Sequence, residues 1–324
     1  VKKILITGIG GNVGQGVLMN TTNLHQNLII IGADINQNTA GNHLCNKVYK
    51  VPYAYTKDYI PSIKAICLGE KIDLIIPTTD FEVYHLAEFA KDLPTILGNP
   101  FDTARTFLDK YLTWEKFKTL GIPFANSWTP ETFETSYTND IIAKPRKGRG
   151  SRGIVVNPKK PKNLGQDYMI QEYIQGIELT SAIYVTKDKK IIGPLTFERV
   201  LESGATQKCW VNHQYDDQIS SICHQINSAI ALVGPLNIQS RVTSEGRIVP
   251  FEINGRYSGT NSIRSQLGFN DVEMGINEHL FGISPVNQKK ITKGVAVRLI
   301  KDVVYPDFSS IDEINNNTDH FYQN

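Results

Sequence analysis

Over its first hundred residues the chain alternates short apolar runs with helical stretches. Residues 2–7, 28–33, 73–77 and 95–97 are apolar runs of strand length, and 59–68 and 82–91 read as the helices between them. Buried strands that alternate with helices predict a parallel α/β sheet. The first strand runs into Gly8, Gly10, Gly11, Gly14 and Gly16 and then into a helical pattern, the strand, turn and helix that open a doubly wound sheet. The second strand ends on Asp34, and the third runs into Thr78, Thr79 and Asp80, at the strand ends where ligands of open α/β sheets bind.

From residue 102 the texture changes. Helical periodicity runs from 102 to 120 and stops at Gly121, with Pro123 beyond it. A strand at 140–145 closes on Lys144 and Pro145, the basic glycine-rich loop 146–153 follows, and a second strand occupies 154–156. Further strands are expected at 179–185, 191–198 and 294–300, with a loop at 202–208. An amphipathic helix at 216–232 gathers Ile219, Ile222, Ile226 and Ile230 on one face. The polar, Asn-rich tail from 309 to 324 is expected to be weakly ordered.

The richest stretch is 237–256. Alternation at 237–243, turn residues at 244–247 and alternation again at 248–254 read as a hairpin. The period of two sets Glu252 and Asn254 on one face, which Gln239 can share, while Phe251 and Ile253 turn toward a core. Three such oxygen donors suit a magnesium ion that completes its octahedron with water and phosphate oxygens, and Arg256 beside them suits a phosphoryl group or a carboxylate. A solvated edge hairpin would read the same way. In the 146–153 loop, backbone amides and cations suit the cradling of a polyphosphate, with an unliganded basic hairpin as the plainer reading. Thr79 and Asp80 would equally serve as a helix N-cap.

Composition narrows the class. The chain has 324 residues, 40% of them hydrophobic, and 34 basic against 32 acidic side chains give a net charge of +2. No basic footprint for nucleic acid or an acidic membrane emerges from that balance. Cys45, Cys67, Cys209 and Cys223 are widely spaced with no CxxC, so zinc and a disulfide framework are both disfavoured and a reducing cytoplasm fits. No apolar run is long enough to span a bilayer, and the first residues lead into a strand rather than a secretory signal.

The turn from Thr7 through Gly8, Gly11 and Gly14 also matches the opening of extended short-chain dehydrogenases. Their acid/base pair is Tyr-x-x-x-Lys, and the match here, Tyr53 with Lys57, falls too early to reach a nicotinamide. Glycines needed only for a tight turn explain the motif as well.

In order and spacing these pieces resemble the ATP-grasp superfamily, in particular the branch similar to the synthetase halves of the carbamoyl-phosphate synthase large subunit. The resemblance runs from Gly8 to about Phe281 and rests on Asp109-Lys110, on Lys144-Pro145 before the flap, and on Gln239, Glu252, Asn254 and Arg256. It implies an N-terminal Rossmann-like domain at 1–101 and a two-subdomain ATP-grasp fold, with the flap in 102–188, the metal site in 189–308 and a polar tail at 309–324. The fold class expected is therefore α/β and α+β.

The family chemistry is activation of a carboxylate by ATP as an acyl phosphate, followed by attack of an amine. The resemblance assigns nucleotide binding to Lys110, Lys144, Gly148, Gly150, Ser151, Gly153, the adenine hinge Gln171, Glu172, Tyr173 and Ile174, and the ribose acid Glu178. Magnesium, or manganese in its place, would lie on Gln239, Glu252 and Asn254. Arg256 and Lys208 are the catalytic candidates, and Thr79, Asp80, Ser258 and Arg264 the substrate contacts. The implied partners are a small-molecule carboxylate and amine, with a homodimer as an open expectation. The chain lacks the duplicated halves of the carbamoyl-phosphate enzymes, which favours a single-unit carboxylate–amine ligase. An NAD-dependent oxidoreductase or epimerase and a non-catalytic nucleotide sensor are the alternatives.

Overall fold

A computed structural model describes residues 1–24, 27–148, 150, 152–286, 291–306 and 308–314; Arg149 and Ser151 of the flap and residues 315–324 of the tail lie outside the described residues. The N-terminal sheet consists of β1 (Lys2–Thr7), β2 (Leu28–Asp34), β3 (Lys47–Lys50), β4 (Leu74–Ile76) and β5 (Thr95–Ile96). All pairings are parallel, in the order β3-β2-β1-β4-β5. The alternation of the early apolar runs foretells this sheet, but β3 does not: its side chains, Lys-Val-Tyr-Lys, lack an apolar run and remain half-buried at the sheet edge. Both faces are covered. Ile4, Ile6 and Ile76 pack with Val17 and Leu18 of α1 (Asn12–Thr22), while Leu5 and Ile75 pack with Tyr59 and Ile63 of α2 (Tyr59–Glu70).

The next helix pair corrects one expectation. The periodicity at 102–120 is not one helix but two, α4 (Phe101–Leu108) and α5 (Lys110–Leu120), which follow α3 (Asp80–Glu88). Asp109 divides them because its carboxylate accepts from the backbone N–H groups of Tyr111 and Leu112, an N-cap that ends one helix and starts the next.

An antiparallel sheet follows in the order β6 (Ser127–Trp128), β9 (Tyr168–Glu172), β7 (Ile141–Pro145), β8 (Val155–Val156). The third sheet has the order β14-β13-β10-β11-β12-β15, with β10 (Glu178–Val185), β11 (Ile191–Glu202), β12 (Ala205–Val211), β13 (Gly234–Val242), β14 (Ile248–Asn254) and β15 (Val295–Val297). Residues 178–185 thus pair on both edges inside the six-stranded sheet, with β11 and β13. Helix α6 (Asp216–Ala229) lays Ile219, Ile222 and Ile226 on that sheet, as its spacing foretells. After α7 (Asn261–Gln266), α8 (Asp271–Phe281) returns to the N-terminal sheet, where Val272 and Ile276 join the core of Ile4 and Ile6.

The loop expected at 202–208 is also corrected. Only Ser203 and Gly204 turn, with φ of +50° and +76°, and the rest is strand, so Lys208 lies within β12. Two consecutive left-handed residues are the tight hairpin geometry that suits twisted strands. Among the described residues no helix is long and apolar enough to cross a membrane, and all four cysteines are buried and unpaired.

Candidate active site between the sheets

The β13–β14 hairpin sets the donors. Gln239 lies directly across from Glu252, and Asn237 from Asn254, so four oxygen-bearing side chains come from two cross-strand pairs on either side of the Ile238–Ile253 pair. The register then shifts, and Ser240 pairs with Pro250. The bulge absorbs Phe251, which does not enter the core with Ile253: it is half-buried, its carbonyl accepts from Lys144 Nζ at 3.1 Å, and that ammonium lies 5.5 Å from its ring centre.

Cations surround Glu252. Burial alone would raise its carboxyl, but Lys110, Lys144, Arg256 and Arg199 together outweigh that and hold it below the usual range. The same crowding acts on Lys144, which is buried: desolvation, reinforced by Lys110, brings its ammonium down to about 8, although Glu252 and Glu178 favour the charged form. A lysine so placed is a strong anion site, because an arriving phosphate restores the charge balance that burial removed.

Asp109 and Arg146 anchor the base of the flap. Arg146 forks Asp109 through Nε at 3.1 Å and Nη2 at 2.8 Å. The Lys110 amide donates to the Arg146 carbonyl, and Lys110 Nζ to the Gly148 carbonyl at 3.1 Å. The break in the helix at Asp109 therefore ties Lys110 to the flap. Lys110, Lys144, Gly148 and Gly150 line a cavity of about 170 Å³ together with the hairpin donors; Gly153, whose φ is +72°, packs against Pro145 and Tyr168 instead.

The hinge and ribose candidates are placed differently. Gln171 is buried with its side chain donating to Ser127 Oγ at 3.0 Å, Glu172 accepts from Asn126, and the Tyr173 amide donates to the Asp140 carbonyl. Gln171, Glu172, Tyr173, Ile174 and Glu178 line neither this cavity nor the larger one beside it. Glu178 is held by Arg199 at 2.7 Å and Arg241 at 2.6 Å. Arg199 also donates to Gln239 Oε1 at 2.7 Å, and so joins the acid to the hairpin donors.

A larger cavity of about 1000 Å³ opens from the same place over the carboxyl ends of the parallel strands. Thr79 and Asp80 line it, as do the flap and Arg256. Thr79 also forms a capping box with Glu82 at the start of α3, the helix-cap reading of this residue. Asp80 reaches Arg256 Nη2 at 2.7 Å, which also donates to Asn254 Oδ1 at 3.0 Å.

Two candidates are corrected. Arg264 is 1% exposed and fully engaged, by Asp271 at 2.5 Å and by the hydroxyls of Ser258 and Thr260, so it braces the 258–260 loop and cannot touch a substrate. Lys208 is exposed on β12 between Val200 and Val297 and lines neither cavity. Ser258 does line the smaller cavity. Sequence reasoning missed Arg199 and Asn237; the signal for Arg199 was a lone cation ending an apolar strand, and for Asn237 its two-residue spacing from Gln239.

The glycine turn reads as geometry. Gly8 has φ of +65°, and a Cβ on Gly14 would lie 2.2 Å from the Gly8 carbonyl oxygen. Asp34, where a dinucleotide fold would place its ribose acid, instead accepts from the Gly10 amide at 2.8 Å and the Asn36 amide at 3.0 Å.

Residues 107–260 match the ATP-grasp domain family, and residues 4–96 match the PylC-like N-terminal domain. No curated protein matches the chain. Among solved structures, the chain is similar to N5-carboxyaminoimidazole synthetase from Staphylococcus aureus complexed with ADP, at 15% identity and a TM-score of 0.74 over 92% of this chain and 82% of that one. It is similar to N5-carboxyaminoimidazole ribonucleotide synthetase from Thermotoga maritima, at 18% identity and a TM-score of 0.72 over 93% and 82%. A third likeness is to the biotin carboxylase–β-γ-ATP complex from Campylobacter jejuni, at 15% identity and a TM-score of 0.74 over 92% and 75%.

Proposed function

Because this chain is an ATP-grasp protein with a PylC-like N-terminal domain, we propose that it is an ATP-dependent ligase that joins a small-molecule carboxylate to an amine through an acyl phosphate. The observation that carries this reading is the meeting of Lys110, Lys144, Arg199 and Arg256 around the Gln239, Glu252 and Asn254 donors at one cavity. The donor set is all oxygen, one carboxylate with amides, which fits magnesium shared with phosphates better than a softer metal. Magnesium, when bound there, supplies charge that screens the phosphates of ATP.

The residues then take separate tasks. Lys110 and Lys144 neutralise the phosphate tail, and the flap excludes water that would hydrolyse an acyl phosphate. A substrate carboxylate oxygen attacks the γ-phosphorus, the bond to the bridging oxygen breaks, and ADP leaves with that electron pair. Arg256 steadies the phosphoryl group in line. The amine nitrogen then attacks the acyl carbon, phosphate departs, and the nitrogen gives up a proton. The ribose is assigned to Glu178, which Arg199 joins to the Gln239 donor, and the reaction belongs in the reducing cytoplasm that four unpaired cysteines favour.

Thermal shift with magnesium-ATP, with NAD as the control, is the first test, and ADP release across a library of carboxylate and amine pairs is the second. Ligand at ~100 times its dissociation constant adds roughly 2.7 kcal/mol of stability. Stabilisation by NAD and not by ATP would sink the reading.

A further inference from the structure

The larger cavity carries information about its occupant. At about 1000 Å³ it is at the upper end of small-molecule sites, far more than a bicarbonate or acetate fills. Its acids are already spent on the protein: Asp34 on the Gly10 and Asn36 amides, Glu82 on the Thr79 amide at 3.0 Å, and Asp80 on Arg256. Lys147 and Arg152 line the same space with no ion-pair partner among the described residues. Asp34, Asp80 and Glu82 equal Lys147, Arg152 and Arg256 in number, so no net field selects the ligand, and its carboxylate would be taken by these individual cations.

Part of the lining is aromatic. Tyr53 and Tyr55 stack at 5.1 Å with planes 13° apart, and Phe81 meets Tyr55 edge-on at 5.7 Å. Tyr53 is 42% and Tyr55 59% exposed, so ring faces of this size stand open at a cavity wall rather than in a core. An open aromatic surface in one cavity with an arginine able to take a carboxylate describes one ligand.

Resting on the ligase reading above, we infer that the carboxylate substrate is an aryl carboxylic acid. Its ring packs on Tyr53 and Tyr55, and its carboxylate faces Arg256. Stacking on tyrosine faces favours a flat ring over a puckered one of the same size. Tyr53, which with Lys57 matched an oxidoreductase motif, serves here as a wall.

Calorimetry on protein saturated with magnesium-ADP tests this with 4-hydroxyphenylacetate, 4-hydroxycyclohexylacetate and acetate as probes. The aryl acid is expected to bind at least roughly tenfold more tightly than either of the others, the size of about 1.4 kcal/mol of extra contact. Tyr55→Leu should bring the aryl and alicyclic acids to within about threefold of each other. Magnesium-ADP affinity, measured first, separates the two readings. Absence of ADP binding overturns the ligase reading and this inference together. Intact ADP binding with equal affinities for the three acids, no binding of the aryl acid, or an unchanged ratio in Tyr55→Leu overturns this inference alone.

Discussion

Asp80, the first residue of α3, holds the Arg256 guanidinium at 2.7 Å across 176 positions of sequence. The contact ties the N-terminal parallel sheet to the end of the β13–β14 hairpin, because Arg256 also bonds Asn254. Asp80→Asn removes the charge that orients the fork but keeps its shape. Carboxylate-dependent ADP formation is expected to fall by about tenfold, with magnesium-ATP affinity retained. Steady-state kinetics beside a nucleotide titration checks the split, and equal losses in both would assign Asp80 to nucleotide binding instead.

Glu252→Gln tests the hairpin. It keeps size and one oxygen while removing the negative charge among Lys110, Lys144, Arg199 and Arg256. Turnover should drop on the order of 10²–10³-fold, the size of one preorganised electrostatic contact, and the melting temperature should also fall because four cations lose their shared counter-charge. Turnover like the parent protein would move the metal site elsewhere.

Lys144 makes stability and function oppose each other. Its folded value, down at about 8, lies below that of an unfolded lysine. Between the two the unfolded chain holds the extra proton, so the destabilisation is complete below about pH 8 and fades as pH rises through the folded value. Lys144→Met should therefore gain stability over the parent at pH 7, by up to about 3 kcal/mol, and lose that advantage toward pH 10, while magnesium-ATP binding disappears. Denaturant melts at the two pH values decide it; a pH-independent difference would mean that Lys144 is charged at no cost. Nucleotide affinity of the parent protein should weaken above about pH 8 as Lys144 loses its proton.

The Arg264–Asp271 pair is buried at 1% and 0% side-chain exposure. Asp271→Asn leaves Arg264 without its counter-charge and should cost about 3–5 kcal/mol, read as a lower melting temperature. Replacing both with apolar residues should cost less. Because Arg264 braces Ser258 and Thr260, turnover should stay impaired in the double variant even where stability recovers.

The sequence by itself determined the parts whose signal is local. Alternation of apolar runs foretold β1, β2, β4 and β5, the isoleucine spacing foretold α6, and the period of two put Glu252 and Asn254 on one face of a strand. Those patterns need only backbone period and burial. The tertiary structure decided what depends on partners distant in sequence. Asp109 breaks a helix that periodicity continues, since capping and the ion pair to Arg146 outweigh propensity. Arg264 and Lys208 carry the right charge for a site, yet one is consumed by Asp271 and the other faces outward, and only the folded chain shows which cations are left with an anion to bind. The aromatic wall at Tyr53 and Tyr55 was equally silent, because exposed rings become a binding surface only when a cavity is folded around them.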